Sequence, residues 1–101
     1  MLLHPTYGPW LSIRAVLLTA HDLPLGAPLD DFDPCADCAA PCAEACPGGA
    51  VWPEGISARL CYETQRTEPA CALRCGARHA CVVGPEHAYA AEAEAHHMGS
   101  A

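Results

Sequence analysis

Four cysteines lie close together in the middle of the chain, and the last of them is followed directly by Pro47. They are Cys35, Cys38, Cys42 and Cys46, within the sequence CADCAAPCAEACP. Thiolates are soft ligands, which select iron–sulfur clusters, zinc or copper(I) over hard cations. Pro47 has a fixed φ angle and no N–H group, so the chain turns away after the last thiol. The block therefore predicts a metal or metal–sulfur centre held by cysteine.

The remaining cysteines bring the total to eight, the number of thiolates that two 4Fe–4S clusters require. They are Cys61, Cys71, Cys75 and Cys81. The block spacing, C-x2-C-x3-C-x3-C-P, resembles the C-x2-C-x2-C-x3-C-P run of bacterial ferredoxins, with one extra residue after the second thiol. In two-cluster ferredoxins the fourth cysteine of that run ligates the other cluster. The resemblance implies one cluster on Cys35, Cys38, Cys42 and Cys81, and a second on Cys46, Cys61, Cys71 and Cys75.

Other uses of eight thiols stay open: one cluster with spare thiols, structural zinc, or disulfide bonds. Zinc sites of four cysteines commonly pair two short hooks across a longer loop, whereas here four thiols follow one another and end in proline. Disulfides suit an exported chain, and no Lys or Arg precedes Arg14 as a signal peptide would require. His79 is a further candidate ligand, although a surface residue beside a cluster is the simpler interpretation. The spacing favours two clusters in a reducing cytoplasm.

The charge of the chain restricts its partners. Twelve acidic residues stand against five arginines, and the formal net charge is −7. This balance disfavours nucleic acid and anionic membrane surfaces, and it predicts a redox partner protein with a basic docking surface. The apolar run near the start is too short and too broken to span a bilayer.

Short elements must position the thiols, because Pro and Gly interrupt the cysteine-bearing stretches. Residues 31–85 form the expected dicluster domain, and the small residues at 39–45 predict one or two helical turns within it. Ser57 is a candidate N-cap for a helix over 58–64 that carries Cys61.

Two further helices are expected toward the C-terminus. Pro69 opens a predicted helix over 70–74, and Gly76 is expected to end it. Residues 86–101 form a C-terminal tail, in which the Ala- and Glu-rich stretch 88–97 predicts a weak helix that packs loosely.

The N-terminal part, residues 1–30, is expected to be extended and to contain a strand. Over 11–18, apolar residues alternate with Ser12 and Arg14, which is typical of a strand with one buried face. The predicted fold class is thus small α+β, ferredoxin-like, with short helices, loops and an N-terminal strand. We expect the clusters to staple it, because a core in 101 residues is marginal and ligation energy adds to folding energy.

Three stretches, HPTYGPWLSIRAVLLTAHDLPL, DPCADCAAPCAEACPGGAV and ARLC, together resemble the iron–sulfur region of epoxyqueuosine reductases and related bacterial ferredoxin-like proteins. The likeness extends over about residues 4–81. It implies two 4Fe–4S clusters, a ferredoxin-like fold and electron transfer. The later cysteines follow the family's order but not its spacing, and Val82 stands where the family has proline.

The reductases couple their clusters to cobalamin in a separate N-terminal domain, which this sequence lacks, so the likeness does not extend to tRNA modification. No catalytic residue is implied, and no Ser–His–acid group or phosphate-binding loop is evident. We expect either a free-standing electron carrier or the electron-feeding C-terminal part of a longer reductase. With zinc instead of clusters, the chain would be an interaction module without redox chemistry.

Overall fold

The computed structural model describes residues 1–99, and its helices and strands begin at residue 41. The α-helices are α1 Pro41–Glu44, α2 Ala58–Thr67, α3 Gly76–Ala80 and α4 Ala91–Gly99. Two short strands, β1 Val51–Trp52 and β2 Gly55–Ile56, lie between α1 and α2, and 3-10 turns occupy Pro69–Ala72 and Pro85–His87. The last two residues of the predicted tail, 100 and 101, lie outside the described part of the chain.

The sheet is a two-stranded antiparallel hairpin. Val51 pairs with Ile56 and Trp52 with Gly55, so Pro53 and Glu54 form the turn between the strands. Ser57 continues the hairpin with a backbone N–H that donates to the Ala50 carbonyl at 2.8 Å. Helices and a small sheet together make the protein a small α+β structure, as the sequence predicted at that level.

The N-terminal strand predicted over 11–18 is wrong. These residues have no regular structure, and apart from the half-buried Leu11 their apolar side chains face solvent, with Leu17 90% and Leu18 96% exposed. A strand exists through hydrogen bonds to a neighbouring strand. The described sheet contains only β1 and β2, which pair with each other, so the alternating pattern at 11–18 finds no strand against which to bury its apolar face.

Helix α2 begins where the sequence predicted and ends later. The Ser57 hydroxyl accepts a hydrogen bond from the Leu60 N–H at 3.3 Å, which confirms the predicted N-cap. The helix continues past 64 to Thr67. It ends there because Glu68 precedes Pro69, and a residue before proline is forced out of the helical region; Glu68 has φ −113° and ψ 97°.

The helix predicted over 70–74 is replaced by the 3-10 turn Pro69–Ala72, and Gly76 begins a helix instead of ending one. At Gly76, α3 closely approaches the end of α1. A Cβ atom at Gly76 would lie 2.9 Å from the carbonyl oxygen of Ala45. Gly76 thus serves packing between two short helices, and its role as a helix stop was a wrong expectation.

The N-terminal residues form a turn that packs on the cysteine-bearing part of the chain. Two backbone hydrogen bonds, of 2.9 and 2.8 Å, join His4 and Gly8. Gly8 has φ +55°, and a side chain there would collide with the carbonyl of Val83. Pro9 and Trp10, which follow the turn, are buried. This turn therefore covers the segment just after Cys81.

Helix α4 is docked more firmly than the sequence suggested. Glu94 in its middle is only 2% exposed. The Tyr89 ring, just before the helix, lies 5.3 Å from the Trp10 ring, and the Arg14 guanidinium lies 2.8 Å from Nδ1 of His97. The segment that contains Trp10 and Arg14 is thus in contact with the C-terminal helix and the residues before it. None of the helices in residues 1–99 has the length and apolarity to cross a bilayer.

The contact between Arg14 and α4 predicts an acid-sensitive interaction. Desolvation, followed by the nearby Arg14, His96 and Arg78, lowers the pKa of His97 from its ordinary 6.5. The unfolded chain therefore binds a proton on His97 more readily than the folded chain does. The contribution of neutral His97 to the stability of the folded chain is present above pH 6.5 and is lost as pH falls through the lowered pKa. We expect Arg14→Gln to raise the pKa of His97, measured by NMR of the imidazole. Arg66→Gln on α2 is the matched control, and an unchanged His97 pKa in Arg14→Gln would contradict the contact.

Candidate metal centres

The eight cysteines line two separate cavities. The first, of about 30 Å³, is lined by Cys35, Cys38, Cys42 and Cys81. The second, of about 290 Å³, is lined by Cys46, Cys61, Cys71 and Cys75. All eight thiols are free and half-buried. The last cysteine of the central block thus joins the later cysteines, and the last cysteine of the chain joins the block.

The thiols of one cavity influence each other electrostatically. Burial raises the pKa of the Cys61 thiol above 9.0, and the neighbouring Cys75, Cys46 and Cys71 raise it further. The pKa of Cys71 is raised by burial and then by Cys46, Cys75 and Glu68.

In the first cavity, burial raises the pKa of Cys35, and then Cys38, Cys42 and Cys81 add to the effect. Several thiolates close together repel one another, which is why the neighbouring cysteines favour the protonated form of Cys35, Cys61 and Cys71. A bound cation would remove this repulsion and displace the protons.

Two short helices each connect the two cavities. Cys42 lies within α1 and lines the first cavity, whereas Cys46, just beyond α1, lines the second. Cys75 immediately precedes α3 and lines the second cavity, whereas Cys81 immediately follows α3 and lines the first. The approach of α3 to α1 therefore fixes the relative positions of both groups of thiols.

The chain turns sharply after Cys46, as Pro47 led us to expect. The Gly49 N–H donates to the Cys46 carbonyl at 3.1 Å, and Gly49 has φ +58°, a conformation that favours glycine. The turn directs the N–H of the fully buried Ala50 at the Cys46 sulfur, at 3.3 Å. A donor of this kind stabilises the thiolate form of a ligand.

Helix α2 brings Cys61 to the second cavity. Its residue Thr64 packs against Gly48, where an added Cβ would collide with the threonine side chain. The Gln65 amide donates to the Cys61 sulfur at 3.8 Å. The small residue after Pro47 thus lets the turn and the helix approach closely enough for Cys46 and Cys61 to share a cavity.

The donor set fits a metal–sulfur cluster. Each quartet surrounds a cavity with four soft sulfur donors, which is the number and type of ligand that a 4Fe–4S cluster requires.

Sequence reasoning missed Glu94 and the environment of His79. The Cys75 N–H donates to one carboxylate oxygen of Glu94 at 2.9 Å, and Nε2 of His79 lies 2.7 Å from the other oxygen. The His79 ring also packs edge-on against Trp10, at 4.8 Å between ring centroids. His79 is therefore engaged by a carboxylate and an aromatic ring and lines neither cavity. No local pattern could reveal these contacts, because Glu94 lies 19 and 15 residues from its partners.

Comparisons of this chain with family models, curated proteins and solved structures found no match. The likeness to the iron–sulfur region of epoxyqueuosine reductases therefore rests on the motifs of the sequence.

The close packing of Gly48 on Thr64 can be tested by a double-mutant cycle. Gly48→Ala forces a methyl group into Thr64, and we expect it to reduce the free energy of unfolding by about 1–3 kcal/mol. Thr64→Ala removes two of the colliding atoms, so the double variant should recover part of the loss, with a coupling energy of about 0.5–3 kcal/mol.

Gly49→Ala is the matched control, because its Cβ would meet nothing within 4 Å and its cost arises from the positive φ alone. Thr64→Ala should not rescue it. Thermal unfolding followed by circular dichroism, on anaerobically prepared protein, measures all five variants, including Gly49→Ala combined with Thr64→Ala, and the parent. Strict additivity of Gly48→Ala and Thr64→Ala would contradict the contact.

Proposed function

We propose that this protein is a one-electron carrier with a ferredoxin-like fold that binds two 4Fe–4S clusters. The observation that carries the proposal is the division of the thiols between the cavities. In sequence order, the first four cysteines would form one group and the last four the other. In the structure, Cys46 instead lines the cavity of the later cysteines, and Cys81 lines the cavity of the central block. This exchange is the ligand pattern of two-cluster ferredoxins, and neither zinc hooks nor spare thiols would require it.

When bound, each cluster supplies one-electron chemistry by passing between its 2+ and 1+ states. The chain's own groups hold and tune it. The thiolates are ligands, while the Ala50 N–H and the Gln65 amide donate to ligand sulfurs and so favour added negative charge. Half-burial of the cysteines limits the access of water to the sulfurs.

The electron donor and acceptor are proteins with basic docking surfaces. The net charge of −7 supports this, because it attracts basic surfaces and repels nucleic acids and anionic lipids. Negative charge also adjoins the first cavity, where Asp33 contributes to the raised pKa of Cys35. The same module could serve a larger reductase of the epoxyqueuosine-reductase type by feeding it electrons in the cytoplasm, and a tethered acceptor would then replace the docking partner.

Anaerobic purification with iron and acid-labile sulfide analysis tests the proposal directly. We expect brown protein with about eight irons and eight sulfides per chain, and a paramagnetic state after reduction. About four of each would contradict the two-cluster assignment and indicate one cluster with spare thiols. Colourless protein that contains zinc would overturn electron transfer and support the interaction module.

Two double variants, which each remove two thiols, test the exchange of ligands. Cys38→Ser with Cys81→Ser removes two ligands of the same group, so we expect about four irons to remain. Cys38→Ser with Cys46→Ser removes one ligand from each group, so both clusters should be lost or damaged, although the two residues belong to one sequence block. Iron analysis and electron paramagnetic resonance (EPR) distinguish the pairs. If Cys38→Ser with Cys46→Ser retained about four irons, and Cys38→Ser with Cys81→Ser lost both clusters, the central block would hold a cluster by itself.

A further inference from the structure

Glu94 is the one buried charged residue in residues 1–99, with 2% of its surface exposed. Burial of a carboxylate is unfavourable unless both oxygens are satisfied. Both are: one accepts from the Cys75 N–H, and the other faces Nε2 of His79. No other residue of α4 is buried, so this carboxylate is the part of the helix that lies deepest in the protein.

The carboxylate lies directly beside the second cavity. Cys75 lines that cavity, and its backbone N–H is 2.9 Å from Glu94. Met98, one helical turn after Glu94, lines the same cavity. Helix α4 therefore packs beside the second group of thiols, with the carboxylate of Glu94 next to Cys75.

We propose that Glu94 is a positioning residue for the second cluster, which orients the Cys75 segment and lowers the reduction potential of that cluster. The inference rests on the proposed function. Two physical effects both lower the reduction potential. The buried charge is weakly screened and opposes the additional negative charge of the reduced cluster. Glu94 also occupies the Cys75 N–H, which then does not donate to a ligand sulfur.

Glu94→Gln separates the charge from the hydrogen bonds. The amide oxygen still accepts from the Cys75 N–H, and the amide nitrogen can donate to a neutral His79. The control is Glu92→Gln, which removes the same formal charge from an exposed position on the same helix. The measurement is a dithionite titration of the loaded protein, followed by EPR, at pH about 8.5, where an ordinary imidazole is neutral.

We expect Glu94→Gln to retain about eight irons and to shift one of the two reduction potentials to a more positive value. The other potential should shift less, because Glu94 contacts a ligand of the second group alone. Glu92→Gln should leave both potentials unchanged, since bulk water and salt screen an exposed charge. Unchanged potentials in a fully loaded Glu94→Gln protein would overturn the inference and leave the proposed function intact. Wild-type protein without iron would overturn both.

Hydrogen exchange gives a second readout that does not depend on the potentials. Glu94→Asp keeps the charge but shortens the side chain, so the Cys75 N–H loses its acceptor. We expect faster exchange in the peptide that contains Cys75, measured by mass spectrometry, with exchange in α2 unchanged. Equal protection of that peptide in wild type and variant would overturn the positioning role.

Discussion

The close approach of α1 and α3 is the constraint on which the rest of the structure depends. Each helix is barely more than one turn long, yet each has cysteines of both groups within or beside it. A side chain at Gly76 would separate them, because a Cβ there would meet the Ala45 carbonyl. The contact between these two helices therefore fixes the positions of the two cavities relative to each other.

Bringing the thiols together has an electrostatic cost. Burial, and then the neighbouring thiols of the same cavity, raise the pKa of Cys61 and of Cys35. The buried apolar core is small, consisting mainly of Pro9, Trp10 and residues around β1 and α3. Metal ligation would convert the repulsion between thiols into attraction to a common cation, and its binding energy would add to the folding energy. In the proposed two-cluster protein, the cysteines would therefore contribute to the stability of the fold as well as to its chemistry.

The N-terminal turn and the C-terminal helix both pack against the cysteine-bearing centre of the chain. The turn that ends at Gly8 packs against Val83, and Trp10 packs edge-on against His79. Helix α4 approaches from the other end and places Glu94 on Cys75. Both ends therefore contact the segment that carries Cys75 and Cys81. In contrast, the apolar side chains that follow Arg14 are exposed: Val16, Leu17 and Leu18.

The sequence by itself determined the features that depend on near neighbours. Ser57 capped its helix because the N–H that it binds is three residues away, and Pro47 turned the chain because its ring acts on its own backbone. The resemblance of the central block to the bacterial ferredoxin run implied the same two groups of thiols that line the cavities. Tertiary structure alone decided the rest. Residues 11–18 had the pattern of a strand but no partner, and Glu94 found partners 15 and 19 residues away in the chain. Strand pairing and the burial of a charge depend on groups that the fold brings together from distant positions, and local residue patterns do not encode that proximity.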